Sequence, residues 1–162
     1  MKPTTDAQTL IDLEFDKILE WCAGFALSDR TKQKILNTSP LSDFDQLQES
    51  LSQLQDLKRI KDAERGFPSL EFEELDQELR LLKIKNAVVP LSGILKIHQA
   101  SFLVNSIIEF FEEHAEQSYV DLEKVLANTY KTMDIIVPIE KVIDPAGQIK
   151  DSASTELKSI RD

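Results

Sequence analysis

From Ser92 the chain reads S-G-I-L-K-I-H-Q-A-S-F-L-V-N-S-I-I-E-F-F-E-E-H, closing at His114. Its apolar residues, Ile94, Leu95, Ile97, Phe102 to Val104, Ile107, Ile108, Phe110 and Phe111, recur at spacings of three and four, the period of an α-helix. Ser92 is read as the N-cap and Gly93 to about His114 as a helix apolar over much of its circumference. A helix of that kind sits in the middle of a bundle. Within it His98, Ser101, Asn105, Glu109 and Glu112 form one polar stripe spaced 3, 4, 4, 3. We read that stripe as a solvated or interface face rather than a ligand set.

The same period runs outward on both sides. Leu13, Phe15, Ile18, Leu19 and Cys22 line a first helix to about Ala23, and Ser28 caps a second through Leu36, stopped by T-S-P at Thr38 to Pro40. Ser42 is expected to cap a long third helix with the stripe Phe44, Leu47, Leu51, Leu54, continued by Leu57 and Ile60 and ended by Gly66-Phe67-Pro68. A fourth helix is expected from near Leu70 through Phe72, Leu75, Leu79 and Leu82, stopping at Asn86, since Asn tolerates the left-handed conformation. After the central helix come a short sixth, carrying Val120, Leu122, Val125 and Leu126, and a brief helical piece around Ile139 to Val142.

Ile143 and Ile149 flank the turn Asp144-Pro145-Ala146-Gly147 and are expected to pair as a tiny hairpin. Ser152 or Ser154 then caps an outgoing helix with Glu156 in its first turn. This helix reaches Asp162 without a stop signal, which suggests the N-terminal piece of a longer protein. The expected fold is all-α, an irregular helical bundle of about six helices. Residues 1–142 form a helical core, 143–151 the turn or hairpin, and 152–162 the start of a truncated long helix.

Composition sets the class. With 41% hydrophobic and 30% charged residues the chain is globular, and one cysteine, Cys22, excludes an internal disulfide framework and suits a reducing compartment. The opening M-K-P-T-T-D-A-Q lacks the apolar region of a signal peptide, and no apolar run approaches a membrane span. A cytoplasmic protein with no membrane partner is expected. A net charge of −10 makes the segment a poor main contact for a polyanion.

Residues that could carry chemistry have plainer readings beside them. No glycine-rich phosphate loop occurs. His114 stands beside Glu112, Glu113 and Glu116 at a helix end, where a cation is already favoured by the dipole. Cys22 falls on an apolar face and is read as a core cysteine; Trp21 is read first as core and second as an interface marker. The acidic run Glu71, Glu73, Glu74, Asp76 and Glu78 is read as a solvated face. Lys58, Arg59, Lys61 and Arg65 form the densest basic group. They complement the dipole at the end of the third helix, and a phosphate contact there is the minority reading. No catalytic, cofactor-binding or metal-binding set emerges.

Two segments are more specific than periodicity. One is L-E-F-D-K-I-L-E (Leu13 to Glu20), followed by A-L-S (Ala26 to Ser28) and S-P-L-S-D-F (Ser39 to Phe44); the other is I-D-P-A-G-Q-I-K-D-S-A-S-T-E-L-K-S-I-R (Ile143 to Arg161). Together they resemble the N-terminal region of the MutS-two proteins, bacterial MutS paralogues linked to recombination control, and the resemblance covers almost the whole chain. G-F-P-S-L (Gly66 to Leu70) stands where the family tends to have a Gly-Pro-Leu-type link, while Asn86 and Ala87 replace its usual glycine pair.

The resemblance implies the first part of a helical core, or lever, domain, with the D-S-A-S helix running out into a coiled-coil clamp arm. An ABC-type ATPase using ATP and Mg, and a C-terminal Smr nuclease-like domain, would lie beyond Asp162. It implies a full-length parent that forms a homodimer, binds branched DNA and suppresses recombination; some members act instead on collided ribosomes. This segment itself would not be an enzyme. A free-standing helical interaction module using Trp21 or the Lys58–Arg65 group is the reading outside the family.

Overall fold

The computed structural model describes residues 6–161. Met1 to Thr5 and Asp162, the outer bounds of the expected domains and of the expected truncation, lie outside them. Among the described residues the fold is all-α: α1 (Ala7–Asp12), α2 (Phe15–Ala23), α3 (Asp29–Leu36), α4 (Phe44–Asp62), α5 (Asp76–Leu82), α6 (Leu91–Glu113), α7 (Val120–Glu123), α8 (Met133–Val142) and α9 (Thr155–Arg161), with short 3₁₀ turns between. The chain forms two compact units, one of residues up to Gly66 with Tyr119–Val125, the other of Phe67–Ser118 with residues from Leu126 onward.

In the first unit the single helix expected through Leu13 is two. Glu14 takes a left-handed φ of 51°, which breaks the hydrogen-bond ladder between α1 and α2. The Asp6 carboxylate caps α1 by accepting from the Thr9 amide at 2.7 Å. Ser28 caps α3 as expected, accepting from the Thr31 amide at 3.1 Å. The cap of α4 is Asp43 rather than Ser42: its Oδ1 accepts from the amides of Asp45 and Gln46. α2 packs on α1 and α3, and α4 packs on α7. The helix α4 ends before Gly66, at Asp62, because Glu64 turns left-handed with φ 51°.

The second unit is organised on α6. Its N-cap is Pro90, so Ser92 lies inside the first turn instead of capping it. Near the other end Phe67, Phe110 and Phe111 meet edge-to-face, with Phe67 and Phe110 centroids 4.9 Å apart. α5 starts at Asp76, not near Leu70, carries Asp76 and Glu78 in its first turn and ends at Leu82, short of the expected stop at Asn86, which takes a left-handed φ of 64° in the turn that follows. α8 begins at Met133, six residues before the piece expected from Ile139, and continues through Pro138 to Val142. Proline removes the donor for the Asp134 carbonyl, but both residues are exposed, so water can satisfy that group.

The turn after α8 is as expected: Ile143 and Ile149 form an isolated antiparallel bridge and Gly147 takes φ 76°. The Asp144 carboxylate closes it, accepting from the amides of Ala146 and Gln148, each at 2.9 Å. Ser154, not Ser152, caps α9 by accepting from the Leu157 amide.

Candidate functional site

The seam between α6 and α8 is built from the polar stripe. Lys131 Nζ meets Glu112 Oε2 at 2.7 Å and Glu109 Oε1 at 3.7 Å, holding the ammonium above its ordinary range, first through the Glu112 hydrogen bond. One turn back along α6, Asn105 Oδ1 accepts from the Thr132 amide at 2.8 Å and from its hydroxyl at 3.1 Å, while Asn105 Nδ2 donates to Met133 Sδ. The Thr132 hydroxyl also reaches the Ser101 carbonyl. Farther back, His98 Nε2 lies 3.2 Å from Glu140 Oε1. Pairing falls toward the α6 N-terminus as it rises along α8, so the two run antiparallel.

The stripe is therefore an internal interface, with Ser101 and Asn105 buried, while Phe102 on the apolar side is 60% exposed. The helix expected in the middle of a bundle is covered along most of its apolar residues, with Phe110 and Phe111 buried and Leu95, Val104 and Ile108 half-buried, and Phe102 is the exception. Periodicity assigns residues to faces, but which face finds a partner is a tertiary matter. Ile136 and Ile143 are buried and Ile139 half-buried, which adds an apolar row to the seam from the α8 side.

α4 turns its apolar stripe outward. Asp56 and Ile60 are buried, and Asp56 receives the Asp121 amide on Oδ2 and the Arg59 guanidinium on Oδ1. Arg59 also lies 5.2 Å over the ring of Tyr119, which is 2% exposed. The apolar stripe lies on another side of the helix and is uncovered, from 40% exposure at Leu47 to 73% at Phe44. The basic group is consequently divided. Arg59 fastens α4 to the Tyr119–Asp121 turn, Arg65 is half-buried beyond the helix end, and Lys58 and Lys61 are exposed in line with the apolar stripe.

Other candidates resolve separately. Cys22 is exposed and Trp21 is 70% exposed, packed edge-on to exposed Phe25 at 5.7 Å, so the core readings of both are corrected. α2 buries Ala23 alone, which leaves its larger residues at the surface or half-covered. Glu78 is buried, against the reading of a wholly solvated acidic face, and its Oε2 has no hydrogen-bond partner; Gly93 provides the space, since a Cβ there would stand 2.9 Å from Glu78 Cγ. Glu73 pairs with Lys96 at 2.9 Å. His114 stacks on Phe110 and its Nδ1 lies 2.8 Å from the Phe110 carbonyl.

A cavity of about 760 Å³ opens between α6, α8 and the following turn, with Leu95, Ile139 and Ile143 as apolar lining and His98, Glu140 and Lys150 at its polar edge. Those polar groups pair with one another, because Lys150 Nζ donates to the Glu140 carbonyl as His98 meets the Glu140 carboxylate. Among the described residues no group of three or more His, Cys, Asp or Glu is placed to hold a metal ion. No described helix is long and apolar enough to cross a membrane.

The residues thus define an all-α helix-packing segment in which α6 meets α8, and α4 meets α7, through buried polar side chains, while the apolar stripe of α4 stays open. Comparison with known proteins assigns it further. It is 33% identical over 156 residues to Endonuclease MutS2 of Aquifex aeolicus, covering 94% of this chain and 19% of that protein. It is 26% identical to Endonuclease MutS2 of Lactobacillus johnsonii over 92% of the chain, and 26% identical to that of Leuconostoc citreum over 96%. The chain belongs to the MutS2 family and spans about a fifth of the length of these relatives. No family model matches it, and no solved structure matches it.

Proposed function

We propose that the chain is the first part of the core, or lever, region of a MutS-like ATPase that binds branched DNA and suppresses homologous recombination. The observation that carries this reading is the similarity of nearly the whole chain to about a fifth of each MutS2 relative. In this reading the segment performs no chemistry. ATP and Mg binding, the dimer, the nuclease domain and the clamp belong to the rest of the parent.

The mechanical role follows from packing. The polar seam holds α8 at one register on α6, the turn at Asp144–Gly147 sets the direction of α9, and α9 leads toward the clamp arm. A packed element of this kind passes displacement on as a unit, because close-packed interfaces switch between arrangements rather than deforming continuously.

The test uses the full-length parent. Asn105→Ala loosens the seam far from any nucleotide site and is expected to leave basal ATP hydrolysis intact while DNA-stimulated hydrolysis falls. Unchanged stimulation in a parent shown to have a weakened seam would sink the lever role. Sedimentation of the parent with four-way DNA junctions and with stalled disomes decides between the DNA reading and ribosome rescue. ATP turnover by the isolated 162-residue chain would refute the assignment of chemistry to other domains.

A further inference from the structure

We propose that α4 pairs antiparallel with α4 of a second copy of this chain, through the uncovered stripe Phe44, Leu47, Leu51 and Leu54. This goes beyond the lever reading and does not depend on it. The stripe is spaced 3, 4, 3, the a/d pattern of a coiled-coil seam, and it projects away from the contacts that Asp56 and Arg59 make inside their own unit. The next two positions of the same seam are Lys58 and Lys61. The seam is thus apolar for its first half and cationic at its far end.

That asymmetry selects the occupant and its direction. A parallel pair would set Lys58 against Lys58 and Lys61 against Lys61 inside the seam, where like charges repel. An antiparallel pair centred between Ser52 and Gln53 stacks Phe44 on Lys61, Leu47 on Lys58, and Leu51 on Leu54, then repeats by two-fold symmetry. In each outer layer a lysine lays its aliphatic stem over an apolar side chain of the partner helix and carries its ammonium outward. Asp43 and Asp45 stand at the start of the facing α4, so the acidic beginning of each helix meets the cationic end of the other. Flanking seam positions Gln48, Ser50, Gln55 and Leu57 are uncharged, and Asp62, level with Asp43 of the partner, is the one charged flanking position within α4 and opposes the pairing at the outermost layer.

The helix directions agree, since antiparallel helices bring opposite dipole ends together. The pairing also uses residues that are already open: Phe44, Leu51 and Leu54 are each more than half exposed, and a shallow groove of about 410 Å³ lies beside Leu51, Leu54 and Lys58. A short apolar seam of two heptads makes a weak complex. Association is therefore expected in the micromolar-to-millimolar range rather than as a permanent dimer.

Sedimentation equilibrium of the 162-residue chain, run from about 10 µM to about 1 mM, the range of weak complexes, should show its mass rising from 18.4 kDa toward twice that value. Leu51→Glu with Leu54→Glu should abolish the rise while far-UV circular dichroism stays native, because both residues are exposed. Lys58→Glu with Lys61→Glu should weaken association at least tenfold. With Cys22→Ser, a spin label at position 62 should report partners separated along the axis by roughly 28 Å at 1.5 Å rise per residue. A monomer at every concentration, a dimer that survives the Leu51/Leu54 change, or a short label distance indicating parallel strands would each overturn the proposal.

Discussion

Replacing Asn105 with alanine removes the acceptor around which the α6–α8 seam is built. Its Oδ1 serves both the amide and the hydroxyl of Thr132, and its Nδ2 reaches Met133 Sδ, in a position 4% exposed. The Thr132 hydroxyl keeps a second acceptor in the Ser101 carbonyl, 3.3 Å away, but the Thr132 amide is left with none. One buried donor without a partner costs about 1–3 kcal/mol, and the space vacated by the amide adds roughly 1 kcal/mol. A loss of about 2–4 kcal/mol follows, a large share of the roughly 5–15 kcal/mol that holds a domain together. The chain has two units, so a single melting curve can merge distinct transitions. The sharper assay is amide hydrogen exchange, in which protection at Thr132 should fall by roughly 30-fold or more in the variant. Thr132→Ser, which keeps the hydroxyl, is the conservative control. A variant within about 0.5 kcal/mol of the parent chain, with Thr132 exchange unchanged, would refute the idea that the polar stripe is the seam.

Gly93→Ala should lower thermal stability by about 1–2 kcal/mol even though alanine favours helices, because the new Cβ meets Glu78 Cγ and Val89 Cγ1 at 2.9 Å. Gly147→Ala should cost about 1–2 kcal/mol through its φ of 76° and a Leu95 methyl 3.3 Å from the new Cβ, read by the same melts. Glu156 is held below its ordinary value of 4.5, first by its own backbone amide and then by the Ser154 and Thr155 hydroxyls. Its folded-state value is the lower one, so its local support of α9 is complete above about 4.5 and fades as pH falls through that depressed value. Amide chemical shifts across α9 during an acid titration check this. The exposed Cys22 thiol should react with a thiol reagent in the native chain at close to the unfolded rate; strong native protection would return it to the core.

Much of the local structure was legible from the residues. Ser28 and Ser154 sit where short polar side chains cap helices, and Ile143 pairs with Ile149 across a turn that Gly147 makes possible; Asn86 is left-handed as expected, but four residues beyond the end of α5 at Leu82. The misplacements are also local. Ser42 and Asp43 are both capable caps, and only the backbone conformation selects Asp43. Glu14 and Glu64 turn left-handed at positions whose side chains carry no sign of it. The piece expected around Ile139 to Val142 starts at Met133 and runs through Pro138, since an exposed proline can stay in a helix when water reaches the carbonyl it deprives.

The candidate interaction surfaces were legible as faces and illegible as to their fate. The stripe from His98 to Glu112 was visible, but nothing in its spacing distinguishes a solvated row from a seam satisfied by Lys131, Thr132 and Glu140. Arg59 looked equivalent to Lys58 and Lys61 until Tyr119 and Asp121 arrived beside it from more than fifty residues away. The family assignment was legible for another reason, since the terminal segments carry residue identities rather than mere periodicity.

By itself, then, the sequence determined that the chain is helical, roughly where its helices lie, and which residues share each face. Those properties depend on groups a few residues apart, through backbone hydrogen bonds, caps and the 3.6-residue period. Tertiary structure alone decided that α6 and α4 seat polar side chains such as Asn105 and Asp56 in buried contacts while the Phe44–Leu54 stripe stays uncovered. That choice depends on which distant groups satisfy buried donors and acceptors, and a buried polar stripe is stable only when those partners are in place.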